Sequence, residues 1–403
     1  MIQELKREIA DLTLTPTDDA GWQKVAKLWK IREDSVYLNH GSFGPSPLPV
    51  RDYRRKIIDQ LDEQPMDFFV RRLEPLLLAA REDLAQFLGT DAQKLVFVEN
   101  ATFGVNVVAE SFPFVSGDEV LLNDHEYGAV RRTFERLAAR KSLNISVANI
   151  STPIASADQV VADLMRCVTP KTKLAVISHI TSPTAIVLPV KQICRAFQER
   201  GIAVCIDGPH APAHVPLDLE ELGCDFYAAS CHKWLCAPLG SGFLFVDPRW
   251  HKFMQPIIKS WGRLLPAMPE NWDEEFLWSG TRDPSCYLSV PTAIETLRII
   301  GFERFRSRCY SLAAYAREKL VELTGEEPLA PADWYGCMAH VPLPSGEYSD
   351  LQRLLWDVFR IEVPIIEFNG RWFVRVSCHV YNHIGQIDLL IEALKQTIPG
   401  LGK

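Results

Sequence analysis

Three short segments concentrate residue types that could act on one substrate. In Asp207-Gly208-Pro209-His210 a carboxylate is followed by turn-forming residues and an imidazole. Alone, an Asp-Gly pair most often orders a turn; at a strand end facing a crevice, the same carboxylate can hold a cationic ring nitrogen. In Ser230-Cys231-His232-Lys233 a hydroxyl, an imidazole and an amine fall close together. A lone lysine is ordinarily an exposed charge, but Trp234 and Leu235 follow this one and strand-like residues precede it. An apolar setting disfavours the ammonium form and supplies the neutral amine that attacks a carbonyl carbon. In Glu99-Asn100-Ala101-Thr102-Phe103-Gly104, small and hydroxylated residues open a helix, where free backbone N–H groups and the helix dipole favour phosphate. Thr102 as a plain N-cap is compatible with that reading. Asp207, Lys233 and an anion cup at Thr102 together meet the demands of pyridoxal 5′-phosphate (PLP): a carboxylate for the pyridine nitrogen, an amine for the carbonyl, and a phosphate site.

These residues need strands to carry them. From about Lys94, short β-branched runs alternate with amphipathic stretches, the pattern of an α/β domain with a mostly parallel sheet. The expected strands are 95–98, 119–122, 145–150, 174–178, 203–206, 226–229 and 242–246. The expected helices between them are 102–110, 129–141, 157–167 and 190–200, with Gly201 placed to stop the last. The Trp- and Pro-rich stretch 256–291 is too irregular to assign, and loops of that length are often functional. A long helix is expected over 291–323, then strands at 337–341 and 372–376 and helices at 349–359 and 386–396, the order of a separate α+β domain. In an open α/β sheet the crevice lies beyond the carboxyl ends of the strands, where Asp207 and Lys233 fall.

Composition narrows the classes. The 403 residues are 47% hydrophobic and 23% charged, the balance of a globular chain. A formal charge of −8 offers nothing to a nucleic-acid backbone. No run of about 18 apolar residues occurs and the start is polar, so neither a membrane span nor a signal peptide is expected, and a cytoplasmic location is the default. Gly-x-Gly-x-x-Gly and Walker-type phosphate loops are absent. Ten cysteines are too sparse for a disulfide framework. The group Cys224, Cys231, His232, Cys236 lacks the short paired spacings of zinc sites, so no metal is expected.

The segments Tyr37-Leu38-Asn39-His40-Gly41-Ser42-Phe43-Gly44, Asp207-Gly208-Pro209-His210-Ala211, Ser230-Cys231-His232-Lys233 and Ser279-Gly280-Thr281-Arg282-Asp283, in this order, resemble the class V aminotransferase family. The family includes isopenicillin N epimerase and the cysteine desulfurases. The resemblance implies the type I PLP-dependent transferase fold: a large domain (37–290) with a helix-sandwiched sheet, a smaller C-terminal α+β domain (291–403), and an N-terminal helical arm (1–36) associated with the small domain. It implies Lys233 as the cofactor-carrying amine, Asp207 for the pyridine nitrogen, and His210 near the phenolic oxygen. Ser230, His232, Thr102 and Ala101 match the phosphate contacts. Tyr127 falls where relatives carry the aromatic residue stacked on the ring, with His125 the competitor if the alignment slips by two. Gly280 and Thr281 match a segment that reaches the phosphate of the partner in a homodimer. Arg375 matches the arginine for the substrate α-carboxylate, with Asn39 and His40 on the substrate side.

Many cysteine desulfurases carry a nucleophilic cysteine in a loop before that arginine, yet residues 361–372 contain none, and Cys378 reads as a strand residue. The segments 362–365 and 37–41 lean towards the isopenicillin N epimerase-like branch. The expectation is therefore an enzyme acting at Cα of an α-amino acid, first as an epimerase with Lys233, Asp207 and Tyr127 in the chemistry. A C–S lyase or aminotransferase acting on a cysteine derivative is the alternative within the class, and a non-catalytic PLP-binding module the alternative outside it.

Overall fold

The computed structural model describes residues 2–10, 12, 14–263 and 268–401. After a short strand β1 (Val36–Tyr37), seven strands form the main sheet: β2 (Leu95–Val98), β3 (Glu119–Asn123), β4 (Asn144–Ala148), β5 (Thr172–Ser178), β6 (Ala203–Asp207), β7 (Phe226–Ser230) and β8 (Gly242–Val246). Their order is β2-β8-β7-β6-β5-β3-β4, parallel throughout except for β8, which runs against both neighbours. Each expected strand is present to within about two residues at its ends.

The reason is visible in the side chains. Ala175 and Ile177 join one apolar cluster and Leu174 and Val176 the other, on opposite faces of the sheet; Val204 and Cys205 part in the same way. A strand covered on both faces reads as an unbroken apolar run rather than an alternating one. Helices Ala101–Ser111, Gly128–Lys141, Ala157–Met165 and Val190–Gln198 connect the strands. All the parallel strands therefore end at one edge, which collects Asn100–Thr102 after β2, Glu126–Tyr127 after β3, Ile180–Ser182 after β5, Asp207 and Ser230.

A second, three-stranded antiparallel sheet has the order β11-β12-β9, built from β9 (Met338–Pro342), β11 (Ile365–Phe368) and β12 (Arg371–Ser377). The two-residue β10 (Ile361–Glu362) pairs in parallel with β1. This stitches residues 36–37 to the C-terminal region, and Asn39 continues the contact by bridging Ser377. The helix expected over 291–323 is two, Val290–Ile300 and Phe302–Thr324, because Gly301 takes φ +91° and ends the first. Helices Leu48–Glu63 and Leu73–Leu88 precede the sheet and were not anticipated. In the N-terminal arm, Leu5, Ile9, Trp22 and Trp29 join the cluster on one face of the main sheet. Residues 264–267 of the Trp- and Pro-rich stretch lie outside the described residues; elsewhere it forms a short 3₁₀ turn at Trp272–Phe276 and a helix at Ser285–Leu288.

Of the ion pairs that tie that stretch to the rest of the chain, Arg81–Asp273 is the most buried. Arg81 Nη1 lies 2.6 Å from Asp273 Oδ2, both side chains about 10% exposed. Removing one partner strands the other charge in a dry site. Arg81→Ala is expected to cost about 3–5 kcal/mol, read as a lowered urea midpoint, with Arg81→Ala/Asp273→Ala losing less than Arg81→Ala alone.

Candidate active site

A cavity of about 290 Å³ opens at the carboxyl edge of the main sheet, lined by Lys233, Asp207, Arg375, His210, Tyr127 and Thr102 among others. The Lys233 amine lies 3.0 Å from His210 Nε2. The Trp234 indole donates to His210 Nδ1 at 3.4 Å, which leaves the ring proton on Nε2, facing the amine. Burial, with Arg375 adding to it and Asp207 opposing, brings the lysine down to about 7. The amine is thus available in its neutral form near neutral pH.

Asp207 ends β6 and is buried; burial pushes its carboxyl up to about 7, against the pull of Lys233. A buried carboxyl raised in this way calls for a cationic partner, which a protonated pyridine provides. Behind it, Glu126 accepts hydrogen bonds from Ser178 N (2.8 Å), Ser178 Oγ (2.8 Å) and Asn123. Burial and the neighbouring Asp207 raise its carboxyl to about 8. Sequence reasoning missed Glu126, although the strand-end segment Asp124-His125-Glu126-Tyr127 was the place to look.

Arg375 sits in β12 with its guanidinium buried. One Nη donates to the Ser182 carbonyl and the other to Ser42 Oγ at 3.1 Å, while Nε has no partner. Burial lowers it to about 10, and no carboxylate of the described residues pairs with it. An uncompensated buried guanidinium with a free donor is the arrangement a substrate carboxylate completes. Ser42 and Ser182 were not anticipated.

The anion cup is built at the start of helix Ala101–Ser111. Its N-cap is Asn100, whose side chain accepts from Phe103 N at 2.9 Å, so Thr102 is not the cap and is exposed at the cavity. Ser230 Oγ accepts from Ala101 N at 3.1 Å, and buried His232 Nδ1 has no partner. Gly104 lets the helix approach β7: a Cβ there would stand 2.9 Å from that of Ala228. A helix start whose Thr102 N–H is free at the cavity, a hydroxyl and an orphaned imidazole nitrogen fit a phosphate. Carboxylate, amine and cup together fit PLP.

Of the two aromatic candidates, Tyr127 lines the cavity, half exposed, whereas His125 is buried, with Nδ1 2.7 Å from Thr184 Oγ1 and its ring against Phe368. Asn39 and His40 do not line the cavity. Asn39 donates to Glu362 at 3.1 Å, and His40 turns into the core behind Lys233. The expectation that these two line the substrate side is corrected accordingly: the segment offers Gly41, Ser42 and Phe43 instead. Gly280 and Thr281 are not among the residues lining this chain's own cavity. His40, Cys236 and His379 bring three ligand atoms within 4.8 Å of one another. The two imidazoles, however, are stacked at 4.1 Å and 18°, so an ion in the plane of one lone pair would lie off the plane of the other.

Comparisons with known proteins give the family and the fold. The aminotransferase class-V family profile matches residues 69–390. The chain is 39% identical over 396 residues to isopenicillin N epimerase of Amycolatopsis lactamdurans, covering 92% of this chain and 99% of that one. It is 30% identical to putative L-cysteine desulfhydrase 1 of Oryza sativa subsp. japonica, covering 90% and 83%. The solved complex of the cystine C–S lyase C-DES with its product cysteine persulfide shares the fold, with a TM-score of 0.81 at 22% identity over 90% of this chain and 97% of that one. By its sequence, this chain belongs to the aminotransferase class-V family.

Proposed function

We propose that this protein is a PLP-dependent enzyme acting at Cα of an α-amino acid, and that its reaction is epimerisation of the kind named for its isopenicillin N epimerase relatives. The observation that carries the reading is a single cavity that presents an amine, a carboxylate and a guanidinium but no thiol among its lining residues. All ten cysteines are free, and Cys378, just beyond β12, is fully buried with its thiol pushed up by that burial. Thiolate attack on a sulfur-bearing substrate has no candidate nucleophile there.

In this reading Lys233 carries the cofactor, Asp207 holds the pyridine nitrogen, His210 stands by the phenolic oxygen, and Ala101, Thr102, Ser230 and His232 hold the phosphate. When bound, PLP withdraws electrons from the Cα of the amino acid joined to it. Arg375 grips the α-carboxylate and so fixes which Cα substituent faces Lys233. The Lys233 amine, once free, takes the Cα proton, and its lowered pKa suits it to both accept and return a proton near neutrality. Inversion needs a second proton carrier, and Tyr127, which lines the cavity and whose ring would cover the cofactor, takes that part. Gly280 and Thr281 complete the phosphate site of a second subunit in a homodimer, in keeping with the open space beside Gly280.

Incubation in deuterated water with L- and D-amino acids and cysteine conjugates tests the reaction. Deuterium at Cα with inverted configuration supports epimerisation; pyruvate, ammonia and a released sulfur species establish a C–S lyase instead. Tyr127→Phe keeps the ring but not the hydroxyl. It is expected to retain Cα exchange within about tenfold while inversion falls about 10²-fold or more, as chiral chromatography of the deuterated product reads directly.

A further inference from the structure

Lys233 lies in an irregular turn between β7 and β8, so no helix or strand ladder holds its peptide. Its carbonyl oxygen is held instead by two donors: Cys236 N at 3.0 Å and His40 Nε2 at 3.1 Å. A carbonyl can only accept, so Nε2 carries the imidazole proton, and Nδ1 accepts from the Tyr381 hydroxyl at 2.8 Å. Both side chains are buried, the His40 ring stacked on His379 and packed against Trp234. At Gly44 a Cβ would fall 2.4 Å from the Lys233 oxygen and 2.8 Å from His40 Nε2, so residues 37–44 can lie as a strap against the lysine only with glycine there. The same segment reaches the other side of the cavity, where Ser42 Oγ accepts from Arg375.

We propose that His40, set in place by Tyr381, is a positioning residue that fixes the Lys233 peptide, and through it the direction of the Lys233 amine, without touching substrate. The amine is four carbons from its backbone, and a shift of about 1 Å in a reacting group costs on the order of 10²-fold in rate. Burial brings His40 down to about 3, so the imidazole stays neutral and its two hydrogen bonds do not switch over any working pH. The inference rests on the PLP reading of Lys233 for its kinetic readouts only.

The test uses the full chain, loaded with PLP and free of it. His40→Leu removes the donor, His40→Gln offers an amide N–H in its place, and Tyr381→Phe removes one hydroxyl. Expected for His40→Leu is a fall of about 10²-fold in kcat for Cα exchange, KM for the amino acid within about threefold, and a displaced pH titration of the bound cofactor's visible absorbance. His40→Gln recovers kcat to within about tenfold of the parent, and Tyr381→Phe loses about three- to tenfold in kcat with KM unchanged. In cofactor-free protein, the pH midpoint for acetic anhydride labelling of Lys233, followed by mass spectrometry, moves towards that of surface lysines in His40→Leu and stays in His40→Gln. The proposal is overturned by parental kcat and labelling midpoint in His40→Leu, by a loss confined to KM, or by His40→Gln faring no better than His40→Leu. If His40→Leu does not fold, Tyr381→Phe decides by the same criteria. A parent protein that takes up no PLP defeats the cofactor assignment, while the labelling midpoints still decide the role of His40.

Discussion

Replacing Lys233 by alanine is expected to abolish Cα-proton exchange, by about 10⁴-fold or more, because one side chain serves as both the cofactor's anchor and the proton carrier. The variant should still retain PLP non-covalently, since Asp207, the helix start at Ala101 and Ser230 are untouched. Its visible absorbance should be that of free rather than lysine-joined cofactor. A small exogenous amine is expected to restore part of the exchange, the cavity being large enough to admit one. The parent protein carries a related expectation. With Lys233 brought down to about 7, capture of PLP by the apoprotein should climb about tenfold per pH unit below pH 7 and level off above it. An ordinary lysine would keep accelerating capture past pH 10. Stopped-flow absorbance at a series of pH values separates the two. Full exchange activity in Lys233→Ala would remove the basis of the proposed function.

Asp207→Asn should cut kcat about 10³-fold, on the order of 4 kcal/mol in the barrier, because an amide cannot hold the pyridine nitrogen protonated and electron-accepting. The same substitution should make the apoprotein more stable. Asp207 is raised to about 7 in the folded chain, so the native state binds its proton more tightly than the unfolded chain does. Stability attributable to this group is therefore greatest at low pH and is lost as pH rises from about 4 to about 7. Asparagine, neutral throughout, escapes that loss. The apoprotein of Asp207→Asn is expected to melt higher than its parent at pH 8 and similarly at pH 4, while PLP binding should raise the parent's melting temperature much more than the variant's. A variant that is less stable at pH 8 would mean that Asp207 already has a cationic partner in the apoprotein.

The parallel sheet was legible because its strands are buried on both faces: runs such as Leu174-Ala175-Val176-Ile177 leave no other reading between amphipathic helices. Asp207 and Lys233 were legible because each ends or closely follows such a strand. What escaped depended on distant contacts. Strand β10 has two residues and exists only because β1, more than 300 positions away, pairs with it. Helices Leu48–Glu63 and Leu73–Leu88 precede the point at which the alternating pattern begins, and the break at Gly301 is one φ angle inside an otherwise continuous helical pattern. At the site, Ser182 contributes a backbone carbonyl, which carries no residue-type signal. His40 was placed in the right neighbourhood on the wrong side. The resemblance implies a place on the substrate side, but only packing against Trp234, His379 and Tyr381 decides which way the ring turns.

The cavity's walls have two separate origins. Asp207, Ser230, Lys233 and the helix start at Ala101 belong to the rigid edge of the main sheet, whereas Arg375, Ser42 and Phe43 come from the C-terminal sheet and the strap bound to it. The two halves meet through the bonds of Arg375 to Ser182 and of His40 to Lys233, and through the packing of His125 on Phe368 and His40 on Trp234. Such a division makes the scaffold modular: the wall that selects what is processed can be rewritten, by drift or by design, while the wall that runs the electron chemistry is left alone. Chimaeras that exchange residues 361–377 between related chains, with His40, Gly44 and Tyr381 kept in place, are therefore a more economical route to altered substrate scope than point changes around Lys233.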